Sequence, residues 1–304
     1  MDLSVIIPTY NRSRLLARTI QGLCDQQTGS SIREVLVISD GATDDSSAVV
    51  NSFKDRLPIQ YIEQPRKSVS AARNRGLAEA RGTVALLLDD DIVPSPKLIA
   101  EHTAFHQQYP EIESVLLGYV TWLPELPITP FMRWYGEYGA LFGYALLEDG
   151  KQVDRKYLYS CNVSFKVQFL NNISGFNENL TVFEDHELGY RLAKRGMKMF
   201  FRRNALAYHN QTFTFQQARE RMRRYSRGVP AFLATEAGSE MNALENKWKM
   251  RLKRLATGPA IHALKPLESL ADCPIPLPRP LYRLLYWYGA IRPLHVASNK
   301  QPKP

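Results

Sequence analysis

Cysteine is scarce in this 304-residue chain, and long apolar runs are missing from it. The three cysteines, Cys24, Cys161 and Cys273, are widely spaced and form no CxxC pair, so neither a disulfide framework nor a zinc site is predicted. No apolar stretch approaches the roughly 18 residues that a membrane-spanning helix requires. Met1 and Asp2 lead directly into an apolar strand pattern, so we expect no signal peptide and a cytoplasmic, reducing environment.

Two glycine-rich nucleotide-binding motifs are also missing. No GxGxxG follows the first predicted strand, and no GxxxxGK[ST] occurs anywhere in the chain. These absences exclude a dinucleotide fingerprint and a P-loop. A bound nucleotide would therefore be held by side chains and a metal ion rather than by a glycine-rich loop.

The first ninety residues predict a parallel sheet, because short apolar runs alternate with helical patterns. The apolar runs span 3–7, 35–38, 59–62 and 84–88. Four such repeats are typical of a doubly wound α/β sheet, in which ligands bind beyond the carboxyl ends of the strands. We place the end of the first strand at Pro8.

The pattern is less regular after residue 114. We predict strands at 115–122, 157–165, 197–201 and 206–209. A helix is predicted from 183 to 194, and basic helices at 216–227 and 245–256. The aromatic residues of 131–147 favour either stacking on a sugar acceptor or packing in an interface.

Three consecutive carboxylates, Asp89, Asp90 and Asp91, follow the apolar run at 84–88. Adjacent like charges repel, so a cation or a basic partner is expected nearby. Oxygen ligands suit hard cations such as Mg²⁺ or Mn²⁺, which bridge carboxylates to substrate phosphates. A solvated acidic turn is the alternative. Thr9 and Asp40 also follow strands, and this convergence favours a functional site.

Several motifs recur in a fixed order along the chain. They are Pro8-Thr9-Tyr10-Asn11, Asp40-Gly41, Asp89-Asp90-Asp91, Glu184-Asp185-His186-Glu187-Leu188 and Tyr208-His209. Together they resemble the family 2 glycosyltransferases, which have the GT-A fold and use nucleotide-sugar donors. The resemblance covers residues 3 to about 209. Ser39 and Ser174 depart from it, since many relatives carry Asp and Gly at those positions.

The resemblance implies a role for each matched residue. The nucleotide-sugar-binding residues would be Pro8, Thr9, Tyr10, Asp40, Arg73, Asp89 and Asp90. The metal ligands for Mn²⁺ or Mg²⁺ would be Asp91, His209 and Asp89. Asp185 would be the catalytic base of an inverting transfer from a nucleotide sugar, most often a UDP-sugar, to a saccharide or lipid-linked acceptor.

The resemblance also implies a division of the chain. Residues 1–114 would form the nucleotide-sugar-binding half, and 115–215 the acceptor-binding and catalytic half of the same domain. Residues 216–304 would form a basic, helical and proline-rich extension. Such an enzyme would act in the synthesis of a cell-surface polysaccharide or a glycolipid.

Simpler interpretations exist for single residues. Asp185 and Glu184 could cap the following helix through its dipole. His209 could be a core histidine, and Arg73 a surface residue of its helix. Glu187 and Arg191 are spaced to pair on a helix surface.

Positive charge is concentrated in one region, although the whole chain carries only +9. Residues 191–254 hold 16 Lys and Arg against four acids, a local excess of +12. This pattern fits a helix lying on an anionic membrane surface, here through 216–256, and a peripheral location on the inner face of the cell membrane. A solvated basic face is the alternative. No reader motif for nucleic acid accompanies the charge.

Two other functions compete with sugar transfer. A sugar-phosphate nucleotidyltransferase would need a glycine-rich loop with Arg and Lys near the N-terminus, which the segment 8–12 lacks. A non-catalytic nucleotide-sugar-binding protein on the same scaffold is the second alternative. The intact carboxylates at 89–91 and 185 argue against it.

Overall fold

The computed structural model describes residues 2–27, 32–139, 141–242 and 268–286. The strands are β1 (Leu3–Thr9), β2 (Ile32–Asp40), β3 (Ile59–Gln64), β4 (Val84–Leu88), β5 (Ile92–Pro94), β6 (Ser114–Trp122), β7 (Asn162–Lys166) and β8 (Lys198–His209). The helices are α1 (Ser13–Cys24), α2 (Ser46–Asn51), α3 (Val69–Glu79), α4 (Leu98–Gln108), α5 (Pro130–Glu137), α6 (Val167–Asn171), α7 (Glu184–Lys194) and α8 (Phe215–Leu233).

The eight strands form one sheet in the order β3-β2-β1-β4-β7-β6-β8-β5. Strands β1 to β4 pair in parallel, as do β6 and β8, whereas β7 and β5 run antiparallel to their neighbours. The predicted doubly wound, mostly parallel α/β sheet is therefore confirmed. Every residue of β1 and β4 is buried, which explains why these strands read as apolar runs rather than as alternating patterns. Strand β7 is also buried throughout, although its sequence alternates polar and apolar residues.

The chain divides into two compact units. The first comprises residues 1–126 and 144–211 and contains the whole sheet, and the second comprises 127–143 and 212–304. In the second unit, the aromatic face of α5 packs on residues near the end of the described chain. Trp134 stacks on Tyr282, and Phe131 meets Phe215 edge to face. The buried aromatics of α5 thus form a core within this unit, so of the two alternatives left open for the aromatic residues of 131–147, packing accounts for those in α5.

Several element boundaries differ from the sequence-based predictions. Strand β1 continues through Pro8 to Thr9. Its pairing with β4 ends at Ile6, so no hydrogen bond to β4 is lost because Pro8 has no N–H. Residues 157–161 are not in a strand, since β7 starts at Asn162. The two predicted strands 197–201 and 206–209 are one strand, β8, whose register shifts opposite Gly118.

Four of these elements were not predicted, namely β5, α4, α5 and α6. Helix α4 has a mostly polar sequence, and it buries His102 and His106 beside Ile99 and Phe105, so an apolar periodicity could not mark it. The predicted basic helix at 245–256 lies outside the described residues. Within the described ranges, no helix has both the length and the hydropathy required to cross a membrane.

Candidate active site

The carboxyl ends of β1, β2 and β4 lie at one edge of the sheet, because these three strands are parallel neighbours. This edge carries Thr9, Asp40 and the carboxylates that follow Leu88. The predicted site residues from the N-terminal half of the chain are therefore brought together, as the rule for open α/β sheets requires.

Both carboxylate oxygens of Asp90, the middle residue of the acidic triplet, accept hydrogen bonds from other side chains. Thr9 Oγ1 donates to Asp90 Oδ2 at 2.8 Å, and Arg12 Nη1 donates to Asp90 Oδ1 at 3.1 Å. Burial raises the pKa of Asp90 to about 7, while the charge of Arg12 and the hydroxyl of Thr9 oppose that rise. Both oxygens of Asp90 are thus used to hold the edge of the site together.

Arg12 also binds the next carboxylate. Its Nη1 atom lies 3.0 Å from Asp91 Oδ2, so one guanidinium bridges Asp90 and Asp91. The cost of adjacent negative charges, which the sequence pattern implied, is therefore offset in part by a basic side chain. Arg12 was missed in the sequence analysis, although its place directly after Asn11 was a usable signal.

Arg73 connects the first carboxylate to the start of α7. This residue of α3 is buried, and its guanidinium lies 2.9 Å from Asp89, 3.3 Å from Glu184 and 3.9 Å from Asp185. Burial opposes the charge of Arg73, but these carboxylates together raise the pKa of its guanidinium above the usual value. The interpretation of Arg73 as a surface residue is wrong.

Glu184 is a second residue that the sequence analysis left without a site role. Burial raises the pKa of its carboxyl, as does the neighbouring charge of Asp185, and Arg73 opposes the rise. One arginine therefore faces three carboxylates, which leaves a net negative charge at this end of the sheet.

Asp185 is fixed by a backbone group outside its own helix. The N–H of Ser160 donates to Asp185 Oδ2 at 3.1 Å, and Asp185 Oδ1 is buried with no hydrogen-bond partner in the described part of the chain. No side chain caps α7, and the residue before it, Phe183, has a left-handed φ of 60°. Such a backbone is uncommon for a bulky residue and is found preferentially at functional sites.

Asp40 ends β2 and is held by the neighbouring strand. Gln64 Nε2 and the backbone N–H of Lys67 both donate to its Oδ1 atom. Close by, the guanidinium of Arg66 stacks over the ring of Tyr10 at 3.7 Å. Tyr10 remains 36% exposed, which leaves part of its ring accessible to a ligand.

His209 and Asp91 approach each other across the β5–β8 pair. Their Nε2 and Oδ2 atoms are 4.0 Å apart, and both residues are buried. Two ligands of one ion, each about 2.1 Å from it, lie at most about 4.2 Å apart, so these two atoms are close enough to contact one divalent cation. The third predicted ligand, Asp89, pairs with Arg73 instead. Among the described residues, no three His, Cys, Asp or Glu side chains are grouped as a metal site would require.

Other motif residues have structural roles. Asn74 makes two hydrogen bonds with the backbone of Phe176. Arg191 pairs with Glu187 as predicted, but Glu187 is buried, and Arg191 also donates to two carbonyls of the 173–175 turn. Ser174 in that turn has a φ of 61°, which explains why glycine is common at this position.

A cavity of about 570 Å³ lies beside α1 in the first unit and is separate from the carboxylate cluster. Its lining includes Arg18, Pro94, Glu125 and Tyr208, and it includes none of the predicted site residues. Arg18 and Glu125 form an ion pair across it at 2.9 Å. Nothing in its geometry indicates a specific ligand.

Comparison with known families gives two adjacent matches. The model of "Glycosyl transferase family 2" matches residues 4–120, and that of "Glycosyl transferase family group 2" matches residues 158–292. These ranges contain every residue of the carboxylate cluster described above.

Two characterised relatives are similar over about two thirds of this chain. Validoxylamine A glucosyltransferase of Streptomyces hygroscopicus subsp. jinggangensis is 32% identical over 223 residues, which cover 65% of this chain and 52% of that protein. Chondroitin synthase of Escherichia coli is 28% identical over 246 residues, or 69% of this chain and 34% of that protein. The chain thus spans about half of the first relative and a third of the second.

Solved structures share the fold. The mannosyltransferase PcManGT from Pyrobaculum calidifontis, in complex with GDP-Man and Mn²⁺, has a TM-score of 0.64 at 16% identity and covers 98% of this chain and 88% of its own. S. aureus TarS 1–349 in complex with UDP has a TM-score of 0.57 at 17% identity, with coverages of 98% and 92%. These similarities confirm the predicted GT-A-type fold.

Proposed function

Because the chain belongs to glycosyl transferase family 2, we propose that it is an enzyme that moves a sugar from a nucleotide-sugar donor to an acceptor hydroxyl. One observation carries the proposal. Carboxylates from two separate elements, Asp89 after β4 and Asp185 in α7, meet at the buried Arg73 beside the carboxyl edge of the sheet. That edge is where α/β sheets bind nucleotides.

We assign the donor to the ends of β1, β2 and β4. Asp40 would accept from the nucleobase, Tyr10 would lie against it, and Asp89 would face the ribose or the diphosphate. Pro8 and Thr9 would shape this edge, and the bonds from Thr9 and Arg12 to Asp90 would keep it rigid. A UDP-sugar is the donor that we propose, since TarS is known in complex with UDP and UDP-GlcNAc.

Asp91 and His209 would hold a divalent cation, Mn²⁺ or Mg²⁺, together with oxygens of the donor diphosphate. The support is their 4.0 Å separation and the Mn²⁺ complex of PcManGT. When bound, such a cation stabilises the negative charge that develops on a departing diphosphate. Arg12, which contacts the same Asp91 oxygen, would have to share or release it.

We assign Asp185 as the base that accepts the proton of the acceptor hydroxyl. The Ser160 N–H fixes its Oδ2 atom, which keeps the carboxylate oriented. A hydroxyl is a weak nucleophile at neutral pH, and a positioned base contributes typically about 10²–10⁴-fold in rate. A single base opposite the leaving group would give inversion at the anomeric carbon.

The acceptor would be a saccharide or a lipid-linked sugar, as in cell-surface polysaccharide or glycolipid synthesis. Chondroitin synthase, a polysaccharide-forming relative by name, supports a saccharide acceptor. The exposed arginines of α8 support contact with an anionic membrane surface. Neither a nucleotidyltransferase nor a purely binding role is favoured by a specific observation.

Isothermal calorimetry with UDP-, GDP- and dTDP-sugars, each with and without Mn²⁺, tests this function. We expect one nucleotide class to bind, and to bind more tightly in the presence of the metal. Failure of every nucleotide sugar to bind, with or without Mn²⁺, would refute the proposed function.

A further inference from the structure

We propose that Gln64 determines which nucleobase this site accepts, because it leaves Asp40 with one free carboxylate oxygen. The inference rests on the proposed function, since it takes Asp40 as the residue that meets the base. It goes further by assigning the choice between pyrimidine and guanine to a side chain outside the sequence motifs.

Strand pairing brings Gln64 to Asp40. The two residues are register partners at the ends of β3 and β2. Gln64 Nε2 donates to Asp40 Oδ1 at 2.9 Å, and the backbone N–H of Lys67 donates to the same atom at 2.8 Å. Asp40 is 8% exposed, so water can replace these donors only to a small extent.

The two oxygens of Asp40 therefore differ. A carboxylate oxygen offers about two lone pairs, and both of those on Oδ1 are used by Gln64 and Lys67. Oδ2 has no hydrogen-bond partner among the described residues. Asp40 consequently presents one acceptor atom to a ligand rather than two.

The loop that carries the Lys67 N–H is held close to β2. Gly41 has a φ of 74°, and a Cβ on it would lie 2.9 Å from the backbone nitrogen of Arg66. Arg66 is in turn stacked on Tyr10. Since this turn is tightly packed, the carboxylate of Asp40 is oriented before any ligand arrives. Its hydrogen bonds therefore select among nucleobases without rearranging.

Nucleobases differ in how many N–H groups they offer to a carboxylate. Uracil and thymine present one, N3–H, between two carbonyl groups, which matches a single free oxygen. Guanine presents N1–H and an N2 amino group side by side, which suits both oxygens of a carboxylate. At this site the second guanine donor would displace Gln64 or remain unpaired, and an unpaired donor costs roughly tenfold or more in affinity.

The test compares UDP with GDP by calorimetry in the presence of Mn²⁺. Wild type is expected to bind UDP at least about tenfold more tightly than GDP. Gln64→Ala and Gln64→Leu both remove the donor, but leucine keeps most of the side-chain volume. Both should reduce the UDP/GDP ratio several-fold. Gln60→Ala is the matched control, because Gln60 is an exposed glutamine on the same strand, and it should keep the wild-type ratio.

Each outcome has one meaning. A wild type that binds GDP as tightly as UDP overturns the inference, as does an unchanged ratio in variants whose Tm matches wild type. A change in Gln64→Ala without one in Gln64→Leu also overturns it, since space rather than the hydrogen bond would then decide. In each of these cases nucleotide binding, and with it the proposed function, stands. If wild type binds no nucleotide, the proposed function itself fails.

Discussion

At the scale of single residues, Asp185 and Asp91 have different surroundings, and these surroundings predict separable defects. Asp185 is oriented by the Ser160 N–H and lies near Arg73, whereas Asp91 contacts Arg12 and lies near His209. Two substitutions that each replace one carboxylate by an amide of the same shape should therefore affect different steps.

Asp185→Asn should remove sugar transfer while nucleotide binding remains. The amide keeps its size but cannot accept a proton, so we expect kcat to fall by about 10²–10⁴-fold, with UDP affinity within about twofold of wild type. Steady-state transfer assays and calorimetry check these two quantities. Asp55→Asn, at an exposed aspartate in the turn before β3, is the control. Full turnover by Asp185→Asn would remove this residue from the role of base.

Asp91→Asn should instead weaken metal-dependent binding. The substitution removes the charge of a proposed metal ligand, so the affinity for UDP in Mn²⁺ should fall at least about tenfold, toward the value without metal. Titrations with and without Mn²⁺ measure the difference. An unchanged metal effect in Asp91→Asn would show that the cation, if used, is held elsewhere.

At the scale of elements, α4 and β7 are joined by a row of buried, hydrogen-bonded polar side chains, which a search for apolar patterns in the sequence could not predict. Lys166 Nζ lies 2.9 Å from His106 Nδ1, and His106 Nε2 lies 2.8 Å from Ser164 Oγ. Ser164 Oγ is 2.7 Å from His102 Nδ1, and His102 Nε2 is 2.9 Å from Asn162 Oδ1. Since Lys166 can only donate, the donors run in one direction from Lys166 to Asn162, and both imidazoles are neutral.

This row of hydrogen-bonded side chains makes the free energy of unfolding depend on pH in a defined direction. Burial lowers the pKa of His102 to about 4 and that of His106 to about 2, with Lys166 adding to the second shift and Arg202 to the first. Both values are below the unfolded value of about 6.5, so between pH 6.5 and 4 the unfolded chain binds more protons than the folded one. The contribution of these two histidines to folding stability is therefore complete above about pH 6.5 and falls as the pH is lowered. Asp90, whose pKa is raised to about 7, contributes in the opposite direction, because its folded form binds a proton at a pH where the unfolded form does not.

Urea unfolding at pH 7.5 and pH 5.5 measures this dependence. Each histidine should lower the free energy of unfolding by about 1.4 kcal/mol per pH unit below its unfolded pKa. The slope of His106→Gln should differ from that of wild type by about 1.4 kcal/mol per pH unit below pH 6.5, because this one histidine no longer titrates while all other groups are unchanged. Equal slopes in wild type and His106→Gln would contradict the assignment.

At the scale of the whole molecule, some of the basic side chains of the C-terminal region contact other residues of the same unit. In α8, Arg219 pairs with Glu268, and Arg221 contacts Tyr225. Arg223, Arg224 and Arg227 are exposed. These three side chains are the exposed arginines in the described part, 216–242, of the predicted membrane-binding region.

Replacing Arg223, Arg224 and Arg227 by Gln should weaken binding to anionic vesicles. A basic residue at such a surface contributes about 1 kcal/mol, so the triple variant should bind phosphatidylserine vesicles at least about tenfold less tightly. Sedimentation with vesicles at low salt measures the partition. The control removes the same charge from the first unit, by Gln at Arg33, Lys54 and Lys97, which are exposed. Equal loss in both variants would indicate a nonspecific charge effect.

This charge substitution is a sharper test than truncation before residue 268. Trp134 and Phe131 pack on Tyr282, and the N–H of Phe215 is bound by Asp272. Removing the C-terminal residues would therefore expose the aromatic core of the second unit, and a lost partition could then reflect unfolding.

The sequence alone determined the family, the type of fold and the position of the acidic edge. Buried parallel strands appear as short apolar runs, and polar motifs that follow such strands must meet at one edge of the sheet. For this reason Thr9, Asp40 and Asp89 could be placed together without coordinates. The same local logic failed for α4, whose buried face is partly polar, and for β5, which is three residues long.

Tertiary structure alone decided how the charges of the candidate site are paired. Arg73 meets Asp89 and Glu184, which are 16 and 111 residues away, and Arg12 meets Asp90 across 78 residues. Gln64 takes one oxygen of Asp40 because two strands pair in one register. Local sequence patterns specify helices and strands. The partner of a buried charge depends instead on which of these elements pack together, and this is determined by the packing of the entire core.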